Sequence, residues 1–247
     1  MSLALLREHR AVWASKPALA EVYAVWFDAL LDHVPAGRAV LEVGAGPGFL
    51  KERARGRGLP AAVFSSDLLA TPWNDLAADA LRLPFCASCL GAVIGVDVLH
   101  HLARPAAFFA EAARVLSAGG TLAMVEPWVT PLSFPIYRWL HQEGCRLGID
   151  PWNPFSERKA KEAFEGDAAV VFRLVRETDA SRWRDLGFEP PRVTVLNAFA
   201  YLLSLGFKRG SLLPRPAVPW LQGFDRRLAP LAPWLGLRAL ALWDRRG

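Results

Sequence analysis

The stretch VLEVGAGPGF, residues 40–49, ends a short apolar run in an acid, Glu42, and then places a glycine at every second position: Gly44, Gly46 and Gly48. Glycine adopts φ > 0 without strain and lets the backbone approach a ligand closely. A helix that starts at such a turn adds free N–H groups and the positive end of its dipole. The dinucleotide fingerprint G-x-G-x-x-G/A, counted from Gly44 and Gly46, asks for a small residue at position 49. Phe49 stands there instead, and its ring disturbs the tight helix–strand packing that a third small residue provides. Asp67 closes the next apolar run about twenty residues on, where a carboxylate can accept both hydroxyls of a ribose. The ordinary alternatives are a structural loop for the glycines and a helix N-cap for Asp67. Asp79-Ala80, ahead of Leu83-Pro84-Phe85, offers acceptor and backbone groups to an adenine edge, or is a plain loop carboxylate.

Proton transfer has its own candidates in His100, His101, His141, Glu143 and Tyr137. Imidazole titrates near neutral pH, which favours His100 and His141 as catalytic residues. Against that stand a hydrogen bond tying the His100 loop to its sheet, and an exposed helix face around His141. Cys86-Ala-Ser-Cys89 has the spacing of a redox or zinc pair, but there is no second pair and it directly precedes an apolar run, so no metal is expected.

These residues need elements to position them. Apolar spacing predicts two helices over residues 3–33, broken near Ser15-Lys16-Pro17. Strands are predicted at Arg38–Val43, Ala61–Ser65 (running on to Asp67), Gly91–Val96 and Thr121–Val125. Helices are predicted from Pro47 to about Arg57 and over Ala106–Leu116, the latter broken by Ala118-Gly119-Gly120. Strands alternating with helices imply a parallel sheet covered on both faces. The regularity stops after Glu126-Pro127. Residues 128–165 are rich in Pro, Trp and charge, Thr178–Leu186 reads as a helix, and Arg192–Asn197 and Leu237–Trp243 read as strands around a long Leu-, Pro- and Trp-rich segment.

The 247 residues are 53% hydrophobic and 21% charged, a globular composition rather than a disordered one. The net charge is +5, with the basic residues scattered in small groups at Lys51–Arg57, Arg158–Lys161 and Arg245–Arg246. That scatter argues against a nucleic-acid partner, as does the lack of an Asn/Asp-Pro-Pro-Tyr-like motif for a flipped base. The N-terminus lacks a secretory pattern, and the longest apolar stretch, VTVLNAFAYLLSLGF, is too short to span a bilayer. A cytoplasmic location is expected, with peripheral membrane contact left open. Three cysteines do not suggest a disulfide framework.

Taken together, VLEVGAGPG, the strand end at Asp67, DALRLPF, VDVLHHL and RVLSAGGTLAMVEP resemble the class I S-adenosylmethionine-dependent methyltransferases, nearest to the small-molecule branch that includes the ubiquinone and menaquinone C-methyltransferases. The resemblance spans residues 37–127. It implies an α/β fold, a Rossmann-like doubly wound seven-stranded sheet with the last strand antiparallel, plus a helical lid insertion, in a single domain over residues 1–247. It also implies that Glu42, Gly44, Gly46 and Gly48 surround the methionine part of S-adenosylmethionine. Asp67 would hold the ribose hydroxyls, Asp79 and Ala80 the adenine, and Asp97 would lie near the sulfonium with His100. The insertion after the fifth strand would cover a small or medium, partly apolar acceptor with aromatics such as Trp128, Tyr137 and Trp152. S-adenosyl-L-homocysteine would be the product, and the enzyme would be a monomer or homodimer. Two alternatives stand beside this. One is a non-catalytic cofactor-binding or interaction protein with the same fold. The other is a nicotinamide-dependent oxidoreductase, disfavoured by Phe49 and by the lack of a Tyr-x-x-x-Lys-type pair.

Overall fold

The computed structural model describes residues 2–59, 62–141, 143–155, 165–208 and 210–247. The basic group Arg158–Lys161 and the start of the predicted second strand at Ala61 lie outside the described residues. The chain opens on α1 (Leu3–Ser15), whose Ser2 side chain caps the Leu5 N–H, and on α2 (Pro17–Leu31), with proline at its first position. Proline lacks the N–H that a first helical turn leaves unused, so the break falls where Lys16-Pro17 predicted it. Next come β1 (Val40–Glu42), α3 (Phe49–Gly56), β2 (Val63–Asp67), β3 (Leu76–Ala77), β4 (Leu90–Val96), α4 (Pro105–Val115) and β5 (Leu116–Pro127). A short α5 (Ser133–Pro135) continues into a π-helical turn, Ile136–Leu140. The chain closes with α6 (Ala169–Glu177), α7 (Ala180–Asp185), β6 (Arg192–Leu196), α8 (Phe199–Ser204), α9 (Val218–Arg227), α10 (Ala232–Leu235) and β7 (Arg238–Asp244).

The seven strands form one sheet in the order β3-β2-β1-β4-β5-β7-β6. The pairs among β1 to β5 are parallel, and β7 runs antiparallel to both β5 and β6. This is the doubly wound sheet with an antiparallel last strand that the sequence implied. The strands from the middle of the sheet are apolar runs because both of their faces are covered: every residue of β1 is buried, and so is nearly all of β4. One face carries α4, α6 and α7, where Phe109, Trp183, Phe188 and Trp243 interlock edge-on or tilted at ring separations of 5.0–6.0 Å. The other carries α1, α2, α3 and α8, with Leu19, Trp26, Phe27, Leu30 and Leu50 against the sheet.

Two expectations change. The glycines at 119–120 do not separate a helix from a distant strand. They lie inside β5, where the register against β4 shifts between Leu90 and Ala92, and Gly120 is crowded by the Ser117 and Gly91 carbonyls. The helix predicted at 178–186 is α7, starting where Asp179 caps it by accepting from Arg182 N–H at 2.9 Å, and it is preceded by α6, a helix with no counterpart in the sequence reading.

Parallel strands deliver their carboxyl ends to one edge, which is where open α/β sheets bind ligands. Here that edge gathers Glu42, Asp67, Asp97 and Glu126. The antiparallel return also brings Arg238 there, opposite both Pro127 and Leu196.

Candidate active site

All three glycines of the loop take φ > 0: +61° at Gly44, +49° at Gly46 and +80° at Gly48. At two of them a side chain also lacks room. A Cβ on Gly44 would come within 2.5 Å of Val98, and one on Gly48 within 2.9 Å of Trp73. Gly46 is held differently. Its N–H donates to Asp67 Oδ2 at 2.8 Å, and its carbonyl accepts from Trp73 Nε1 at 2.8 Å and Asn74 Nδ2 at 3.0 Å. The second Asp67 oxygen accepts from Leu69 N–H at 3.0 Å. Asp67, 3% exposed, thus fastens the glycine loop to the end of β2, and is not the helix cap that its position also allowed. Each carboxylate oxygen has a further lone pair for a ligand hydroxyl.

Glu42 lies beneath this loop, and its Oε2 is buried with no hydrogen-bond partner. Burial, helped by the neighbouring Asp67 charge, pushes its carboxyl up to about 8. A buried carboxylate oxygen without a donor is a strong demand for a cation or an N–H group. The pH consequence has a definite sign. A carboxyl whose folded pKa is raised favours folding while it is protonated, so its contribution is full below about 4.5 and is lost as pH rises to about 8. Within that window each pH unit removes up to about 1.4 kcal/mol. Denaturant titrations of the ligand-free protein at several pH values should therefore show a slope that Glu42→Gln flattens. Equal slopes for the two proteins would show that Glu42 is ionised throughout.

Asp79 stands apart on the surface. One of its oxygens accepts from Leu81 N–H at 2.9 Å, and the carboxylate is exposed beside Ala80. Asp97 follows β4 in a left-handed conformation, φ +56°, and forms an ion pair with Arg238. Arg238 is 2% exposed and lies over the Trp26 and Tyr201 rings at 5.0 and 4.8 Å.

His100 is buried with both ring nitrogens engaged: Nδ1 lies 2.5 Å from Glu126 Oε2, and Nε2 lies 3.0 Å from Glu143 Oε2. Glu126, fully buried, also accepts from the Val98 and Leu99 N–H groups at 2.9 and 2.7 Å. Burial acts against a charge on His100, but the two carboxylates outweigh it and hold the imidazolium up to about 10. Burial and the His100 charge push His101 down to about 4. Glu143 is drawn down to about 2 by the imidazoles around it, against its own burial. His141 is half-buried, its pKa is lowered chiefly by burial, and its Nδ1 accepts from Glu143 N–H at 3.3 Å. Donor atoms of His100, His101 and Glu143 stand close enough to share an ion, as do those of Asp97, His100 and Glu126. The hydrogen bonds just described already occupy both His100 nitrogens.

The aromatic residues expected around an acceptor separate into two groups. Trp128 and Tyr137 are buried at the site edge. The Trp128 N–H donates to Leu237 O at 3.0 Å, and the Tyr137 hydroxyl donates to the same carbonyl. Trp152 lies elsewhere, in the α4–α7 layer, tilted against Trp183 at 5.5 Å and covered by Arg182 at 4.0 Å. Its helical neighbours there satisfy its apolar surface, so the structure does not bring it to the glycine loop. Cys89 donates its thiol to the Cys86 carbonyl at 3.0 Å, and its pKa is raised mainly by burial, the reverse of a reactive redox pair.

Several residues of the edge were missed by sequence reading. Trp73 and Asn74 clasp Gly46, and Arg10 reaches from α1 to the Pro47 carbonyl while lying over Phe49 and Trp73. Lys51, 7% exposed, pairs with Asp75. Arg238 had one available signal, a lone cation opening the apolar run LRALALW.

Residues 41–124 match the methyltransferase domain family. Among solved structures, the S-adenosylmethionine-dependent methyltransferase from Archaeoglobus fulgidus aligns at 14% identity and TM-score 0.55, covering 92% of this chain and 94% of that one. The geranyl diphosphate C-methyltransferase from Streptomyces coelicolor aligns at 14% identity and TM-score 0.52, covering 90% and 80%. The [4+2]-cyclase SpnF aligns at 15% identity and TM-score 0.53, covering 90% and 80%. At these identities the likeness is one of fold. No match is found among curated protein sequences. The sheet order is that of the methyltransferase fold, and residues 41–124 are similar to the methyltransferase domain family. The match runs from Leu41 in β1 to Met124 in β5.

Proposed function

We propose that this protein transfers the methyl group of S-adenosylmethionine to a small or medium, partly apolar acceptor. The observation that carries the reading is the buried, unpartnered Glu42 oxygen beneath three left-handed glycines at the carboxyl edge of the sheet. That oxygen suits the ammonium of the methionine moiety, Asp67 the ribose hydroxyls, and Asp79 with Ala80 the adenine edge. Asp97, fixed by Arg238, faces the sulfonium side. When bound, the cofactor supplies a methyl group that is already activated, so the protein's task is alignment and exclusion of water, which contribute several kcal/mol.

The protonation states divide the histidines. His100, held charged between two carboxylates, cannot accept a proton, and we assign it to positioning the loop after β4. His141, its pKa lowered chiefly by burial, is the candidate imidazole base, and its Nδ1 takes a proton from an acceptor on releasing the Glu143 N–H that it accepts from at 3.3 Å. Trp128 and Tyr137 would border that acceptor. One structural relative is a cyclase, so the fold alone does not dictate methyl transfer. The non-catalytic alternative has one observation in its favour: Asp67 and the Gly46 carbonyl are already occupied by protein groups. Titration calorimetry with S-adenosylmethionine and S-adenosylhomocysteine tests the reading. Micromolar binding of both is expected, and absence of binding at millimolar levels would refute it. Tight binding without turnover across acceptors bearing hydroxyl, amine or activated carbon would favour the non-catalytic alternative.

A further inference from the structure

The chain leaves the sheet twice at the site edge, after β5 and between β6 and β7. The two excursions are tied together there by Trp128 N–H to Leu237 O at 3.0 Å and Leu132 N–H to Trp234 O at 3.1 Å. Apart from Val25, Phe64 and Leu68, every exposed large hydrophobic among the described residues lies on these two segments. Trp220 is 83% exposed, Leu212 69% and Trp234 57%, with Phe224 and Leu231 also exposed. Soluble surfaces seldom concentrate aromatic area in this way without a partner.

The charge on residues 198–236 identifies the partner. The segment carries Lys208, Arg209, Arg215, Arg226 and Arg227 against one acid, Asp225. That acid is turned inward, its oxygens accepting from Phe199 and Ala200 N–H at 3.2 and 3.4 Å. Arg215 pairs with Glu21 at 2.6 Å, while Arg226 and Arg227 are exposed and form no ion pair among the described residues. Trp220 and Phe224 stand one helical turn apart on α9, with Arg226 and Arg227 at its end. Exposed tryptophan beside arginine, with no outward carboxylate, is the composition of a helix that lies in a lipid headgroup layer. A second copy of the chain fits less well, because a two-fold contact would set the Arg226–Arg227 cluster against itself.

We infer that α9 and α10 form a docking face for an anionic lipid bilayer. The inference stands independently of the methyltransferase reading. The experiment is vesicle flotation of the full chain with phosphatidylcholine alone and with phosphatidylcholine mixed with phosphatidylglycerol, read together with tryptophan emission. Binding to the mixed vesicles is expected, with a blue shift and a loss on adding salt. Binding should weaken about tenfold or more in Arg226→Gln/Arg227→Gln and equally in Trp220→Ser/Trp234→Ser. Unchanged thermal unfolding of these variants shows that they fold. Equal binding to both vesicle types, no binding, or variants that bind like the parent would overturn the inference. So would a dimer in light scattering that Trp220→Ser/Trp234→Ser dissociates, since it would assign the face to a second copy. S-adenosylhomocysteine titration reports separately, so either reading can fail alone.

Discussion

Asp67→Ala should lower the affinity for S-adenosylhomocysteine by about a hundredfold or more. Two effects add in that variant. The ribose hydroxyls lose a charged acceptor, and hydrogen bonds to a charged group contribute roughly 1.5–3 kcal/mol each. The glycine loop loses its anchor as well, because Asp67 Oδ2 is what receives the Gly46 N–H. Two such bonds correspond to about two orders of magnitude or more in the dissociation constant. Asp67→Asn keeps one acceptor oxygen and should fall between the parent and the alanine variant. Calorimetry with both variants, alongside thermal unfolding without ligand, separates the contributions: a loop-only role predicts lost stability with affinity largely recovered in Asp67→Asn. A folded Asp67→Ala protein that binds like the parent would remove Asp67 from the cofactor site.

His100→Ala should destabilise the fold by roughly 3–5 kcal/mol, because it leaves Glu126 as a buried carboxylate without its cation. Glu126 is fully buried, and its Oε2 lies 2.5 Å from His100 Nδ1. Its other oxygen still accepts from Val98 and Leu99 N–H, which softens the loss without replacing the charge. In a domain of this size a change of that magnitude lowers the melting temperature by about 10 °C. The double variant His100→Ala/Glu126→Gln removes both charges and should recover part of the loss. Chemical denaturation of the four proteins of this cycle measures the coupling, and a coupling near zero would mean that the pair contributes no more than an exposed one.

The long, strongly patterned half of the chain was legible because its signals are local. Buried parallel strands need continuous apolar runs, so β1 and β4 were visible as VLEV and GAVIGV. The left-handed turn needs glycine, so the loop at 44, 46 and 48 was visible before any of its neighbours was known. The segments after β5 were harder. α6 was missed, and Trp152 was assigned to the acceptor because aromatic type was the available clue. In the structure that ring fills space between Trp183 and Arg182 instead. From its imidazole and its position after β4, His100 reads either as a base or as a structural tie between its loop and the sheet. What fixes its charge are two carboxylates that the sequence separates from it by 26 and 43 residues.

By itself the sequence determined the sheet class, the glycine turn and the acids that end its strands. Backbone stereochemistry and hydrophobic period act over a few residues and leave their mark in composition. Only the tertiary structure decided which charges face each other. Arg238 meets Asp97 across 141 residues because β7 returns antiparallel beside β5 and ends its approach at the carboxyl edge. Glu126 meets His100 because β4 and β5 are neighbours in register. Such pairs carry no local signature. Their energy depends on burial and on which strands adjoin, and that is settled only when the sheet has closed.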